Sequence, residues 1–224
     1  MHYGKLLALT ALCVGLCACA HTSTDVAASA PVNWTAERGK KVLLVDPDVE
    51  LSELTFGDVA EPRADWTQAG KGFVKADVAS MLQAKGIATT SADNITDPHE
   101  VQLVKLHAAV GQSIQQNSVL QLPTKKNNFD WTLGPGVAAL RDHYQADYAL
   151  FVYVRDSYSS GSRMALAVLT MSPTGAMQTG FASLVDLRTG RVVWFNRLIS
   201  STGNLREEKQ AAASVKNLLD GLPL

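Results

Sequence analysis

Hydrophobic and polar positions along this chain follow two periods, and the change from one to the other divides it. Lys41-Val42-Leu43-Leu44-Val45 is a short aliphatic and β-branched run, stopped by Asp46-Pro47. It is apolar on both faces, which predicts a central strand in a covered sheet. From Trp66 to Lys85 the spacing turns helical: Phe73, Val74, Val78, Met81 and Leu82 recur on one stripe with Asp77 among them, and Gly86 ends it. Asp65 or Thr67 is the expected cap. A second helix is predicted over 99–116, started by Asp97-Pro98. Pro123 to Asn128 reads as a polar loop, and a shorter helix follows from Gly136 to Tyr144.

Beyond that point the period drops to two. Tyr148 to Arg155 and Arg163 to Met171 read as strands on either side of a turn at Tyr158–Ser162. Gly180 to Leu187 and Arg191 to Leu198 flank Arg188-Thr189-Gly190, a tight hairpin in which glycine supplies the positive φ. A last amphipathic helix runs from Leu205 to Asp220. The order β-α-α-α-β-β-β-β-α predicts an α/β or α+β domain: a mixed sheet of about five strands with helices packed on it.

The first residues carry an address rather than a fold. Lys5 with the terminal amine gives a short positive start, Leu6 to Leu16 is apolar, and small residues follow. That core is too short to span a bilayer as a helix. The segment ends in Leu16-Cys17-Ala18-Cys19, which resembles the lipobox of bacterial lipoproteins: a branched residue at −3, a small one at −1, then a cysteine whose sulfur takes the diacylglyceryl group. Cys19 fits best, because Cys17 would place bulky Leu16 at −1. The resemblance implies a signal peptide over 1–18 and a lipidated Cys19. With Ala20 rather than Asp after the cysteine, it also implies the outer membrane. Residues 19–33 are small and polar and read as a tether, leaving 34–224 as a single α/β domain.

Composition narrows the function classes. The 224 residues are 46% hydrophobic and 18% charged, with a net charge of −1, so a core is affordable and no basic footprint marks a nucleic-acid binder. All three cysteines crowd the N-terminus. A mature chain beginning at acylated Cys19 therefore has no disulfide to lean on.

Candidate chemistry is sparse. His99-Glu100 begins like a zincin motif, but the next histidine, His107, is eight residues on rather than four; surface histidines are expected, and no metal site. There is no Gly-x-Ser-x-Gly, and Gly70-Lys71-Gly72 lacks the context of a phosphate loop. Asp46 and Asp48 follow a strand at a sheet edge, where they could divide acid and base roles, hold a cation, or cap a turn around Pro47. Arg155-Asp156 reads as an exposed pair near a turn, with Arg155 a further candidate binding residue beside Asp46 and Asp48. Trp66 and Trp131 sit in two copies of Asp-Trp-Thr, each read as the start of a helix, and are candidate contact surfaces.

Ala146-Asp147-Tyr148, opening a strand, and Asp186-Leu187-Arg188-Thr189-Gly190-Arg191-Val192-Val193-Trp194 resemble motifs that recur in envelope lipoproteins with a small α/β domain. The curli-secretion lipoprotein CsgG and the synthase activator LpoB belong to that group. Leu51-Ser52-Glu53-Leu54 and Glu61-Pro62-Arg63-Ala64-Asp65-Trp66-Thr67 resemble proteobacterial lipoproteins without an assigned activity. The resemblance implies an outer-membrane lipoprotein with a periplasmic binding or scaffolding domain, no cofactor and no catalytic residues. It also implies an envelope protein partner, with a homo-oligomer as a further expectation. Ala165 to Met171 is too short and too uniformly apolar for a barrel strand, so a pore is not expected. The alternative is a ligand-binding or hydrolytic domain using Asp46 and Asp48.

Overall fold

The computed structural model describes residues 21–26, 32, 39–125, 128–172 and 174–224. The signal segment, the lipobox and Cys19 lie outside the described residues, as does Pro31.

Among the described residues one mixed sheet of eight strands forms the middle layer: six follow the order β1-β8-β7-β6-β2-β5, and off that path β3 pairs with β6 and β4 with β3. The strands are β1 (His21–Val26), β2 (Lys41–Val45), β3 (Asp48–Leu54), β4 (Ala60–Pro62), β5 (Ala88–Ala92), β6 (Tyr148–Ser159), β7 (Gln178–Asp186) and β8 (Val192–Ser200). The helices are α1 (Ala64–Ala84), α2 (Pro98–Leu120), α3 (Ala138–Tyr144), α4 (Gly161–Thr170) and α5 (Glu208–Leu218). Single 3₁₀ turns occupy Pro123–Lys125 and Pro135–Val137. The α/β class is as expected; the sheet has eight strands rather than about five.

β6 is the spine. Its start pairs in parallel with β2 and its longer remainder with β3, while β7 runs antiparallel along its other side. Pro47 has no N–H to give a ladder, so the chain kinks between β2 and β3 and both stay on the same flank of β6.

Alternate residues of β2 enter different cores, which is why the run is apolar throughout. Val42 and Leu44 join Val74, Val78 and Leu82 of α1 with Val215 and Leu218 of α5. Leu43 and Val45 join Leu103 and Ile114 of α2, Leu140 of α3 and Phe151, Phe181 and Phe195 of the sheet. Among the described residues no helix is long and apolar enough to cross a membrane.

Five differences from the sequence reading have physical causes. Arg163–Met171, expected as a strand, contains helix α4. Both flanks of β6 are already occupied, so no edge remains for a hairpin partner; Ser160 caps the helix by accepting the N–H of Arg163 at 3.4 Å. His21–Val26, expected within the tether, forms β1 on the open edge of β8. There Thr24 donates to Asn196 Oδ1 at 3.2 Å and Arg197 to Ser23 Oγ at 2.8 Å.

β3, β4 and β5 were not foreseen. β3 does carry the signal, because Val49 and Leu51 are buried on either side of exposed Glu50. β5 is a polar edge strand, Ala-Thr-Thr-Ser-Ala, and has none to read. Helix α1 begins one residue before Asp65, with Arg63 in the cap position and no side-chain cap; Thr67 instead accepts the Leu51 N–H at 2.9 Å and ties α1 to β3. The second Asp-Trp-Thr does not start a helix: Thr132 bridges Arg191, and Leu133 N–H donates to Gly190 at 2.8 Å. Gly190 has φ +74°, and a Cβ there would meet the Gly134 carbonyl oxygen at 2.1 Å, so this clamp on the hairpin requires glycine twice over.

Candidate functional site

Asp46 ends β2 and Asp48 begins β3, so the two carboxylates flank the kink at Pro47. Each has its own cation. Lys71 Nζ of α1 lies 2.7 Å from Asp46 Oδ2, and Arg155 of β6 lies 2.8 Å from Asp48 Oδ1. Arg155 also donates to the Asp48 carbonyl at 3.0 Å and lies 4.0 Å over the ring of Tyr153. The kink thus becomes a pinned junction, with α1 holding one side and β6 the other. A cleft of about 310 Å³ opens beside it, walled by Val49, Ile95, Val101 and Val104 with Lys71 and Lys105. Among the described residues no group of three or more His, Cys, Asp or Glu side chains is placed to hold a metal ion.

The two tryptophans lie on opposite sides of the sheet and share no groove. Trp66 packs against the α1/α5 core, with Arg63 4.2 Å and Arg206 4.9 Å from its ring centroid and Tyr158 edge-on at 5.7 Å. Trp131 packs against the α2/α3 core with Lys125 at 4.7 Å. Both are half-buried rings covered by a cation.

Sequence reasoning missed three polar clusters. Asp156 is buried, not part of an exposed pair: strand alternation turns Arg155 outward and Asp156 inward. Its Oδ2 accepts from the hydroxyl of Tyr158, from Gln178 Nε2 at 2.8 Å and from the Leu205 N–H at 3.2 Å. Gln178 in turn accepts from Ser214 at 2.9 Å, so β6, β7 and the approach to α5 meet at one carboxylate. Burial pushes the Asp156 carboxyl up, against the downward pull of those donors, and burial beside Asp156 pushes the Tyr158 phenol up. A cleft of about 280 Å³ reaches this cluster past Met164, Asn204 and Arg206.

His107 is the second. It is buried rather than at the surface, stacked on Phe151 at 4.5 Å, and shares a 2.6 Å hydrogen bond with Ser183. Burial drives its pKa down to about 3, so it stays neutral. The third is Glu100, buried and bridged to His143 at 2.7 Å and to the Tyr144 hydroxyl at 2.9 Å. Burial, then the Glu100 carboxylate, pushes the Tyr144 phenol up to about 12. Helical spacing held the clue to His107, which shares a face with Leu103 and Ile114.

Large apolar side chains stand in solvent instead. Val119 and Leu120 at the end of α2 are about four-fifths exposed and face Ile199 of β8 across a groove of about 560 Å³, edged by Gln112, Gln115 and Arg197. A second apolar surface is helix α4, none of whose residues is buried.

No family model and no curated protein matches this chain. Among solved structures it is similar to the PelC dodecamer from Paraburkholderia phytofirmans, with a TM-score of 0.44, 14% identity, and cover of 90% of this chain and 95% of that one. It is also similar to the lipoprotein GNA1162 from Neisseria meningitidis, with a TM-score of 0.35, 16% identity, and cover of 80% and 95%.

Proposed function

We propose that this chain is a non-enzymatic lipoprotein of the outer membrane, anchored through Cys19, whose periplasmic α/β domain binds or scaffolds a protein component of the envelope. One contrast supports the reading. The carboxylates best placed for chemistry are already engaged: Asp46 by Lys71, Asp48 by Arg155, and Asp156 by three donors. The exposed groups clustered around a groove are apolar: Val119, Leu120 and Ile199. A clustered apolar surface with a polar rim suits a protein segment, which seats its own apolar side chains there and meets the glutamine amides at the edge.

A photo-crosslinking amino acid at Leu120 tests the reading in intact envelopes. It should give a discrete adduct that Val119→Asp removes, while the same probe at exposed Gln83 gives none. An adduct between two copies of this chain would make it a self-assembling scaffold. Absence of any adduct at Leu120 overturns the assignment of this groove. The anchor is read separately, by palmitate incorporation in the wild type against Cys19→Ala.

A further inference from the structure

Helix α4 has the sequence Gly-Ser-Arg-Met-Ala-Leu-Ala-Val-Leu-Thr and no buried residue. A helix this apolar is ordinarily packed into a core. Its single charge, Arg163, is turned back to the body of the protein: its guanidinium pairs with Asp58 at 2.5 Å and donates to the Thr55 carbonyl at 3.3 Å. What remains outside is Val168, Leu169 and Met171, each at least 79% exposed, with Met164 beside them. The same Arg163 contacts bring the β3–β4 tip alongside, and that tip exposes Phe56 and Val59.

Strand register places this surface relative to the start of the chain. β1 pairs His21 with Ile199, β7 pairs Ile199 with Thr179, and β6 pairs Thr179 with Arg155. His21 is therefore level with Arg155, three strands away, or about 14 Å across the sheet. β6 continues from Arg155 to Ser159 and directly into α4. β1 runs antiparallel to β8, so its first residue, His21, lies at that same end of the sheet. Cys19 precedes His21 by two residues in the sequence, and two residues of chain reach no further than about 7 Å.

We propose that α4 and the Phe56/Val59 tip form a second membrane contact, lying in the interfacial layer of the bilayer that holds the Cys19 anchor. The proposal rests on the anchor reading above. Ten residues are too few to span a bilayer but suit a helix that lies in its interface. The anchor supplies the bilayer at this end of the molecule and raises its effective concentration at the helix. Lipid is for that reason the favoured occupant over a second copy of this chain.

The test uses the lipidated mature protein in vesicles of phosphatidylethanolamine and phosphatidylglycerol. With Cys19 acylated, Leu169→Cys supplies a sole thiol for a bimane label. Doxyl-labelled lipid should quench that label severalfold, more strongly from a shallow than from a deep doxyl position. Label at Gln83→Cys on α1 should be untouched. Val168→Asp should abolish quenching of a Met171→Cys label with an unchanged Tm, since Val168 is exposed.

Palmitate labelling is scored on the same samples. Palmitate-positive protein without quenching at position 169 overturns the α4 contact and leaves the anchor standing. Concentration-dependent cross-links between copies at position 169, without quenching, overturn it in favour of self-association. Palmitate-negative protein overturns both readings.

Discussion

Gly111 of α2 lies directly against the ring of Phe181: a Cβ at position 111 would sit 2.0 Å from Phe181 Cε2. A glycine inside a helix normally costs about 1 kcal/mol relative to alanine. Here the missing Cβ is what lets α2 approach the sheet. Gly111→Ala is expected to destabilise by about 1–3 kcal/mol, as overpacking does, read from the urea midpoint. Phe181→Leu should recover part of that loss in a double-mutant cycle. A stabilised Gly111→Ala would show that the helix stands further from the sheet.

His107 sets a pH dependence. Its pKa is near 3 in the fold and returns to the ordinary 6.5 on unfolding. The unfolded chain therefore binds the extra proton as pH falls between those values. The stability associated with neutral His107 is complete above about pH 6.5, and falls by about 1.4 kcal/mol per pH unit toward 3. Urea titrations at pH 7.5 and 5 should show His107→Gln losing less stability on acidification than the wild type. Parallel slopes would place a charged imidazole in the core.

Asp156 joins three elements through one oxygen, so shortening it leaves several buried donors without an acceptor. Asp156→Ala is expected to cost about 3 kcal/mol or more, with protease sensitivity rising near Leu205. Asp156→Asn keeps one acceptor oxygen and should cost less. An Asp156→Ala protein of wild-type Tm would reduce the cluster to decoration.

Asp77 faces Glu208 across the α1–α5 packing, and its Oδ2 is buried without a hydrogen-bond partner. Desolvation, then the Glu208 charge, raises its pKa. The ionised form is thus disfavoured in the fold at neutral pH. Asp77→Asn should raise Tm at pH 7.5, with the gain shrinking as pH falls toward 4 and the wild-type carboxyl takes up its proton. A gain that persists at pH 4 would point to packing rather than charge.

The half-buried pairs at the kink set the alternative reading against the scaffold. Asp46→Asn and Asp48→Asn should each cost no more than about 1 kcal/mol, in the range of solvent-screened ion pairs. Mn²⁺ titration by calorimetry should give the same absence of heat in wild type and double variant. A saturable signal lost with both aspartates would favour the ligand-binding alternative.

Local pattern determined a good deal of this protein. The stripe at Val74, Val78 and Leu82, the Asp97-Pro98 start, whose carboxylate accepts the His99 and Glu100 N–H groups, and the Gly190 hairpin are each specified within a few residues. The two-faced apolarity of Val42 to Val45 correctly implied a sheet covered on both sides.

What the tertiary structure decided depends on which edges and faces other elements have already taken. Residues 163–171 could pair as a strand only if β6 had a free flank, and β3 and β7 fill both. His21–Val26 becomes a strand because the edge of β8 is open to it. Trp66 and Trp131 share a tripeptide yet end in different cores, because the segments that carry them cover different faces of the sheet, and Asp156 turns inward beside outward-facing Arg155 because strand alternation assigns the faces. Hydrogen-bonding edges and buried faces are finite and filled by residues far apart in the chain, so no local window contains that information.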